Sequence, residues 1–338
     1  MRPSVDIVIA ARNEERDIAA CLQSLRSQSY RGAVKIWVAV DADSRDKTAL
    51  LALQHRAFLV AGERGAAAGR NRAWRLGEGE LVAFVDAHCT AVSGWLEALV
   101  KKQQDTGAGG VQGHIDFRFT GRATLELNQE SAYAWLKTGN CVYRREALER
   151  VGGFDEALPA CEDVDLSWRV LWAGYPLAFS LQAVVTHLDR GCAAQHLRRS
   201  FWQGVGAGQL ARRFRLDAPA FPGWRANARQ WGYWLGSCLG RWQRATPYDR
   251  PRRVHKWVRW SETLSLRPAT GVVWWHNEAE VILLDARRRV GLSGGGEIFW
   301  RCLYRGWTRE RILKALPRAV QDLDPWVETM LAEGWLES

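Results

Sequence analysis

The chain has 338 residues, 47% hydrophobic and 25% charged, enough to bury one large core or two unequal ones. Residues 1–6 lack the apolar stretch of a signal peptide, and the longest uncharged run, 170–188, carries Gly174, Tyr175, Pro176, Gln182 and His187, which makes it a poor lipid-facing span. The seven cysteines contain no C-x-x-C pair, which argues against a zinc knuckle or a disulfide framework and leaves a cytoplasmic setting as the expectation.

The net charge of +10 comes mainly from arginines, concentrated over 198–259. No helix-turn-helix, RNP or zinc-finger signature accompanies them, so nucleic acid is not expected as a partner. The remaining readings are a solvated basic surface and a peripheral membrane contact.

From residue 5 to residue 85 short apolar runs alternate with segments of helical periodicity: VDIVIA, 17–29, KIWVAV, 46–56, AFLV, 67–76 and LVAFV. This βα repeat predicts a Rossmann-like, mostly parallel sheet, with ligands gathered at the carboxyl ends of the strands. Those ends are followed by loops at 11–15, 41–46 and 86–90, each rich in acids or amides. Past residue 138 come a strand (CVYR), a helix (REALERV), a Gly152-Gly153 turn and a helix from 162 to 173. The segment 196–252 reads as a helical, Arg/Trp-rich connector or acceptor lid with loops at Pro222 and Pro247. From 253 onward strand-like runs (VHKWVRW, GVVWWHN, EVILLD) precede a glycine turn and two amphipathic helices, a small winged-helix-like α+β unit.

The chemistry centres on FVDAH. Asp86 and His88, two apart on an extended chain, can face one ion, and a mixed oxygen and nitrogen donor set favours manganese over magnesium. Asp86 capping the next helix beside an incidental histidine is the plainer alternative.

The segment LVAFVDAHCTAVSGWLEALV resembles the metal-binding segment of the polypeptide N-acetylgalactosaminyltransferases, and EDVDLSWRVLWAGY with the later VVTHLDR continues the likeness. That resemblance implies His187 as the third metal ligand. More broadly, VDIVIAARNEE, VAVDADSRDKT, AAAGRNRAW, FVDAH, GNCVYRREALERVGGFDE and EDVDLSWR, over 3–190, resemble family 2 glycosyltransferases of the GT-A type. The likeness implies a nucleoside diphosphate sugar as donor, with uracil the expected base. Asp41, with Asp43 or Glu14, would meet base and ribose, although Ala42 stands where the family has a second adjacent acid. Arg70 would fix the donor or serve in a salt bridge. Asp163 is the implied catalytic base for inverting transfer, where the retaining N-acetylgalactosaminyltransferases have asparagine; an acid stabilising a helix N-terminus is the alternative.

The tail, with VVWWHNEAEVILLD, GGGEIFWRCL, TRERILKAL and LAEGWLE, resembles PqqD-type leader-peptide recognition domains, which implies a ribosomally made peptide as acceptor, bound by strand addition to a sheet edge. The competing expectations are a transferase for a polysaccharide, glycolipid or small molecule, and a non-catalytic peptide-binding scaffold.

Overall fold

The computed structural model describes residues 2–118, 122–123, 134–188, 193–216 and 228–242, and most of the secondary structure between 258 and 337. The loops expected at Pro222 and Pro247, and Arg190 of the VVTHLDR motif, lie outside the described residues.

The predicted βα repeat is present. Strands β1 (Val5–Ala11), β2 (Val34–Val40), β3 (Phe58–Ala61) and β4 (Leu81–Val85) alternate with helices α1 (Ile18–Arg26), α2 (Thr48–Gln54) and α3 (Ala66–Leu76). They form a parallel half-sheet in the order β3-β2-β1-β4. Strand alternation sorts the core: Val5, Ile7 and Ile9 of β1 pack with Ile18, Leu22, Trp95 and Leu99 on one face, whereas Val8 joins Trp74, Phe84 and Trp168 on the other.

The second half of the sheet is mixed rather than parallel. It contains β5 (Cys89–Ala91), β6 (Gly110–Phe117), β7 (Arg122–Ala123), β8 (Asn140–Arg144) and β9 (Leu177–His187), with α4 (Trp95–Thr106), α5 (Arg145–Val151) and α6 (Glu162–Trp172) between them. Strand β8 runs antiparallel to β4 and β6, β6 runs parallel to β9, and the short β5 runs antiparallel to the end of β9.

The Arg/Trp-rich connector is two long helices, α7 (Ala193–Arg213) and α8 (Ala228–Trp242). The C-terminal part holds β10 (Val258–Arg259), β11 (Ser265–Pro268), β12 (Val273–His276), β13 (Val281–Leu284), β14 (Arg289–Leu292) and β15 (Leu336–Glu337) with α9 (Gly295–Tyr304), α10 (Arg309–Ala315) and α11 (Asp324–Ala332). Three helices stand where two were expected, because Thr308 caps α10 by accepting from the Arg311 N–H and so starts a separate helix. Phe299, Trp300, Leu303, Ile312, Met330 and Trp335 form a core of their own. This part also continues the main sheet, since β12 pairs in parallel with Leu177 and Ala178 at the start of β9. Tyr304 donates its hydroxyl to the Gly174 carbonyl and stacks edge-on against Trp274, reinforcing the junction.

Candidate active site

The predicted ligand loops converge at the carboxyl ends of β1, β2 and β4. Asp86 follows the last residue of β4, and a turn closed by Cys89 N–H donating to the Asp86 carbonyl leads into β5. Cys89 is then registered opposite His187, and the Leu188 N–H donates to the His88 carbonyl. This short ladder brings together two histidines 99 residues apart. Their Nε2 atoms face each other at 2.9 Å, with the rings nearly perpendicular. Asp86 Oδ2 lies 4.0 Å from His187 Nε2, and one donor atom from each of the three residues falls within 4.8 Å of the others. Phe117, the residue of β6 in register with His187, packs against the imidazole.

Two carboxylates and two arginines frame this triad. Glu14 Oε1 sits 3.2 Å from His88 Nδ1, an outer carboxylate that fixes the tautomer and leaves the Nε2 lone pair inward. Burial disfavours charge on His88, but Glu14 and Asp86 outweigh it and raise the imidazole pKa. For Asp86 burial acts against ionisation, while Arg70, the two histidines and Arg199 prevail and hold it below the usual carboxylate range. Arg70 is 6% exposed. Its guanidinium donates to Glu162 Oε1 at 2.9 Å and to Asp86 Oδ1 at 3.3 Å. Asp86 is therefore tied to the first turn of α6.

That turn carries three acids, and their surroundings separate them. Glu162 is paired with Arg70. Asp165, wholly buried, accepts from Arg169 and from Arg213 of α7. Asp163 has no ion pair among the described residues, and its Oδ1 accepts the Val164 N–H. Burial and the neighbouring Glu162 push its carboxyl pKa up to about 7, against the opposing pull of Arg70 and Lys137. The turn starts at Cys161, a non-glycine residue in the left-handed region at φ 63°, with Gly206 of α7 pressed so closely on Ala160 that a Cβ there would stand 2.3 Å from its carbonyl oxygen.

Asp41 and Asp43 lie on the loop after β2. Asp41 accepts the N–H groups of Asp43 and Gly65, at 2.8 Å each, and Asp43 lies 3.7 Å from Arg64. The β1 and β2 loops are stitched together: Asn13, at φ 55°, and Glu14 donate their N–H groups to Ser44 and Thr48, while Asp46 accepts from Thr48 and Glu15. Lys137 and Arg199 were not singled out in the sequence. Lys137 acts electrostatically on Asp163, and Arg199 on Asp86 and His88, from segments distant in the chain, and no local motif marks them.

The mixed α/β sheet with acidic strand-end loops is a GT-A-like fold. Residues 6–154 match the family model described as Glycosyl transferase family 2, and the chain is a transferase. It is 29% identical over 226 residues to Glycosyltransferase AglE of Haloferax volcanii, covering 62% of this chain and 73% of that protein. It is 31% identical over 165 residues to the Pre-mycofactocin glycosyltransferase of Mycobacterium tuberculosis, covering 44% of this chain and 35% of that protein. Among solved structures it is similar to the mannosyltransferase PcManGT from Pyrobaculum calidifontis, solved with GDP-Man and Mn2+, at 20% identity and TM-score 0.49, over 71% of this chain and 74% of that one.

Proposed function

We propose that this chain transfers a sugar, with inversion, from a UDP-linked donor to a ribosomally made peptide, and that the transfer requires a divalent metal, manganese in preference to magnesium. The observation that carries the reading is the facing pair His88 Nε2 and His187 Nε2, 2.9 Å apart beside Asp86, with Glu14 behind His88. Two inward imidazole nitrogens and a carboxylate make a donor set suited to a transition metal. Asp86, His88 and His187 would hold the ion, which when bound supplies positive charge to the departing diphosphate.

The chain's own residues do the rest. Arg70 is a positioning residue, holding Asp86 and Glu162 in one arrangement. Asp41 and Asp43 shape the loop that meets base and ribose, and Glu14 orients His88. Asp163, the one acid of its turn with no arginine ion pair among the described residues, takes the acceptor proton as the nucleophile attacks opposite the leaving group. The peptide assignment is supported by the C-terminal unit. There β14 is paired on one side by β13 and has no second neighbour among the described strands, which offers an edge for strand addition. That unit is joined to the very strand that ends in His187, so a bound peptide is held at raised local concentration.

The test is a calorimetric screen of nucleoside diphosphate sugars with and without manganese, followed by mass spectrometry of candidate peptides. The reading predicts metal-dependent binding of a uridine donor and a mass gain of one sugar on a peptide that also binds the full chain. Metal-independent donor binding, or transfer only to non-peptide acceptors, contradicts it.

A further inference from the structure

Helices α7 and α8 lie side by side and run in the same direction, with Phe201 beside Gly236 and Val205 beside Gly240. They meet through backbone. Gly204 rests on the Tyr233 carbonyl, Gly208 on that of Ser237, Gly236 on that of Phe201 and Gly240 on that of Val205, and a Cβ at any of them would lie 1.9–2.1 Å from that oxygen. Helices joined by small residues four apart hold together through close van der Waals contact and need no large apolar side chains between them. Val205 and Leu210 are buried, but several other large side chains of the pair are exposed. Leu197, Trp202, Tyr233, Leu235 and Leu239 are 41%, 39%, 37%, 52% and 45% exposed, five of the eleven large hydrophobic residues exposed among the described residues.

The same two helices contain arginines and no aspartate or glutamate. Arg198 and Arg199 are exposed near the start of α7, and Arg229 near the start of α8. No described helix is long and apolar enough to cross a membrane. Leucines, a tryptophan and a tyrosine set among arginines match the headgroup boundary, where aromatic rings settle, aliphatic side chains reach the acyl region and arginines meet phosphates.

We propose that the α7–α8 pair is a docking face for an anionic lipid surface. It lies one helix away from the catalytic turn, since Gly206 on another face of α7 is seated on Ala160 and Cys161. The proposal does not depend on which acceptor the site uses.

The test is co-sedimentation of the full chain with phosphatidylcholine vesicles, with and without about one third phosphatidylglycerol. The wild type should pellet with the anionic vesicles, less as salt rises. Leu235→Glu together with Leu239→Glu should lower the partition by at least about tenfold, and Arg198→Gln by about fivefold. Leu50→Glu with Leu53→Glu, equally exposed but elsewhere, should bind as wild type; circular dichroism of each variant confirms the fold. The proposal is overturned if the wild type stays in the supernatant, or if the Leu235 and Leu239 double variant binds unchanged. It also falls if the wild type, without vesicles, is a dimer by light scattering that the double variant converts to monomer, because a second copy would then cover the face.

Discussion

Asp163 and Arg70 set the chemistry of the first turn of α6, and each gives a measurable consequence. A carboxyl raised to about 7 by burial and by Glu162 is protonated at mildly acid pH and becomes a base above it. The kcat/KM for transfer should therefore rise with pH through about 7, and Asp163→Asn should abolish transfer while leaving donor binding intact. The stability linkage has the same origin. A carboxyl whose folded pKa exceeds its unfolded value favours the fold at low pH, and that contribution is lost as pH climbs from about 4 through about 7. Melting curves between pH 5 and pH 8 should show the wild type losing more stability than Asp163→Asn; equal slopes would refute the assignment. Arg70→Met should cost about 2 kcal/mol in urea unfolding, because Asp86 and Glu162 lose their shared cation while keeping some access to water. Asp86, His88 and Asp163 were legible because strand-end loops and a helix start are marked locally in the sequence. The Glu14–His88 contact spans 74 residues, and Arg70 has two carboxylate partners, Glu162 and Asp86; neither follows from spacing along the chain.

At the scale of elements, period and punctuation gave the first half of the fold, and strand β4 and helix α5 fall where the apolar runs LVAFV and REALERV place them. The connector is legible in the sequence as a helical, Arg/Trp-rich segment. Its informative signal was the glycine spacing, Gly204 and Gly208 with Gly232, Gly236 and Gly240, which a search for apolar periodicity passes over. In an exposed helix Gly→Ala stabilises by about 1 kcal/mol. Gly240→Ala should instead destabilise by about 1–3 kcal/mol, since its Cβ would stand 2.0 Å from the Val205 carbonyl oxygen and the helices would have to part. Thermal unfolding gives the sign directly, and a stabilised variant would mean that the helices do not meet this way.

Over the whole molecule, the C-terminal unit has its own core yet extends the main sheet, an arrangement its sequence could not announce because pairing of β12 with β9 depends on strands about 100 residues apart. Trp274, 3% exposed and edge-on to Tyr304, stands at that junction. Trp274→Ala should cost about 3–5 kcal/mol, opening the unit to limited proteolysis while donor calorimetry on the remaining fold is unchanged. The most direct measurement of the central claim is manganese binding, followed by electron paramagnetic resonance in the presence of a uridine diphosphate. The wild type should bind one ion; His88→Ala and His187→Ala should each lose it, and Glu14→Gln should weaken it by about 10–100-fold. Tight binding of one ion to His187→Ala would contradict the account, because the facing histidines would then not be the metal site.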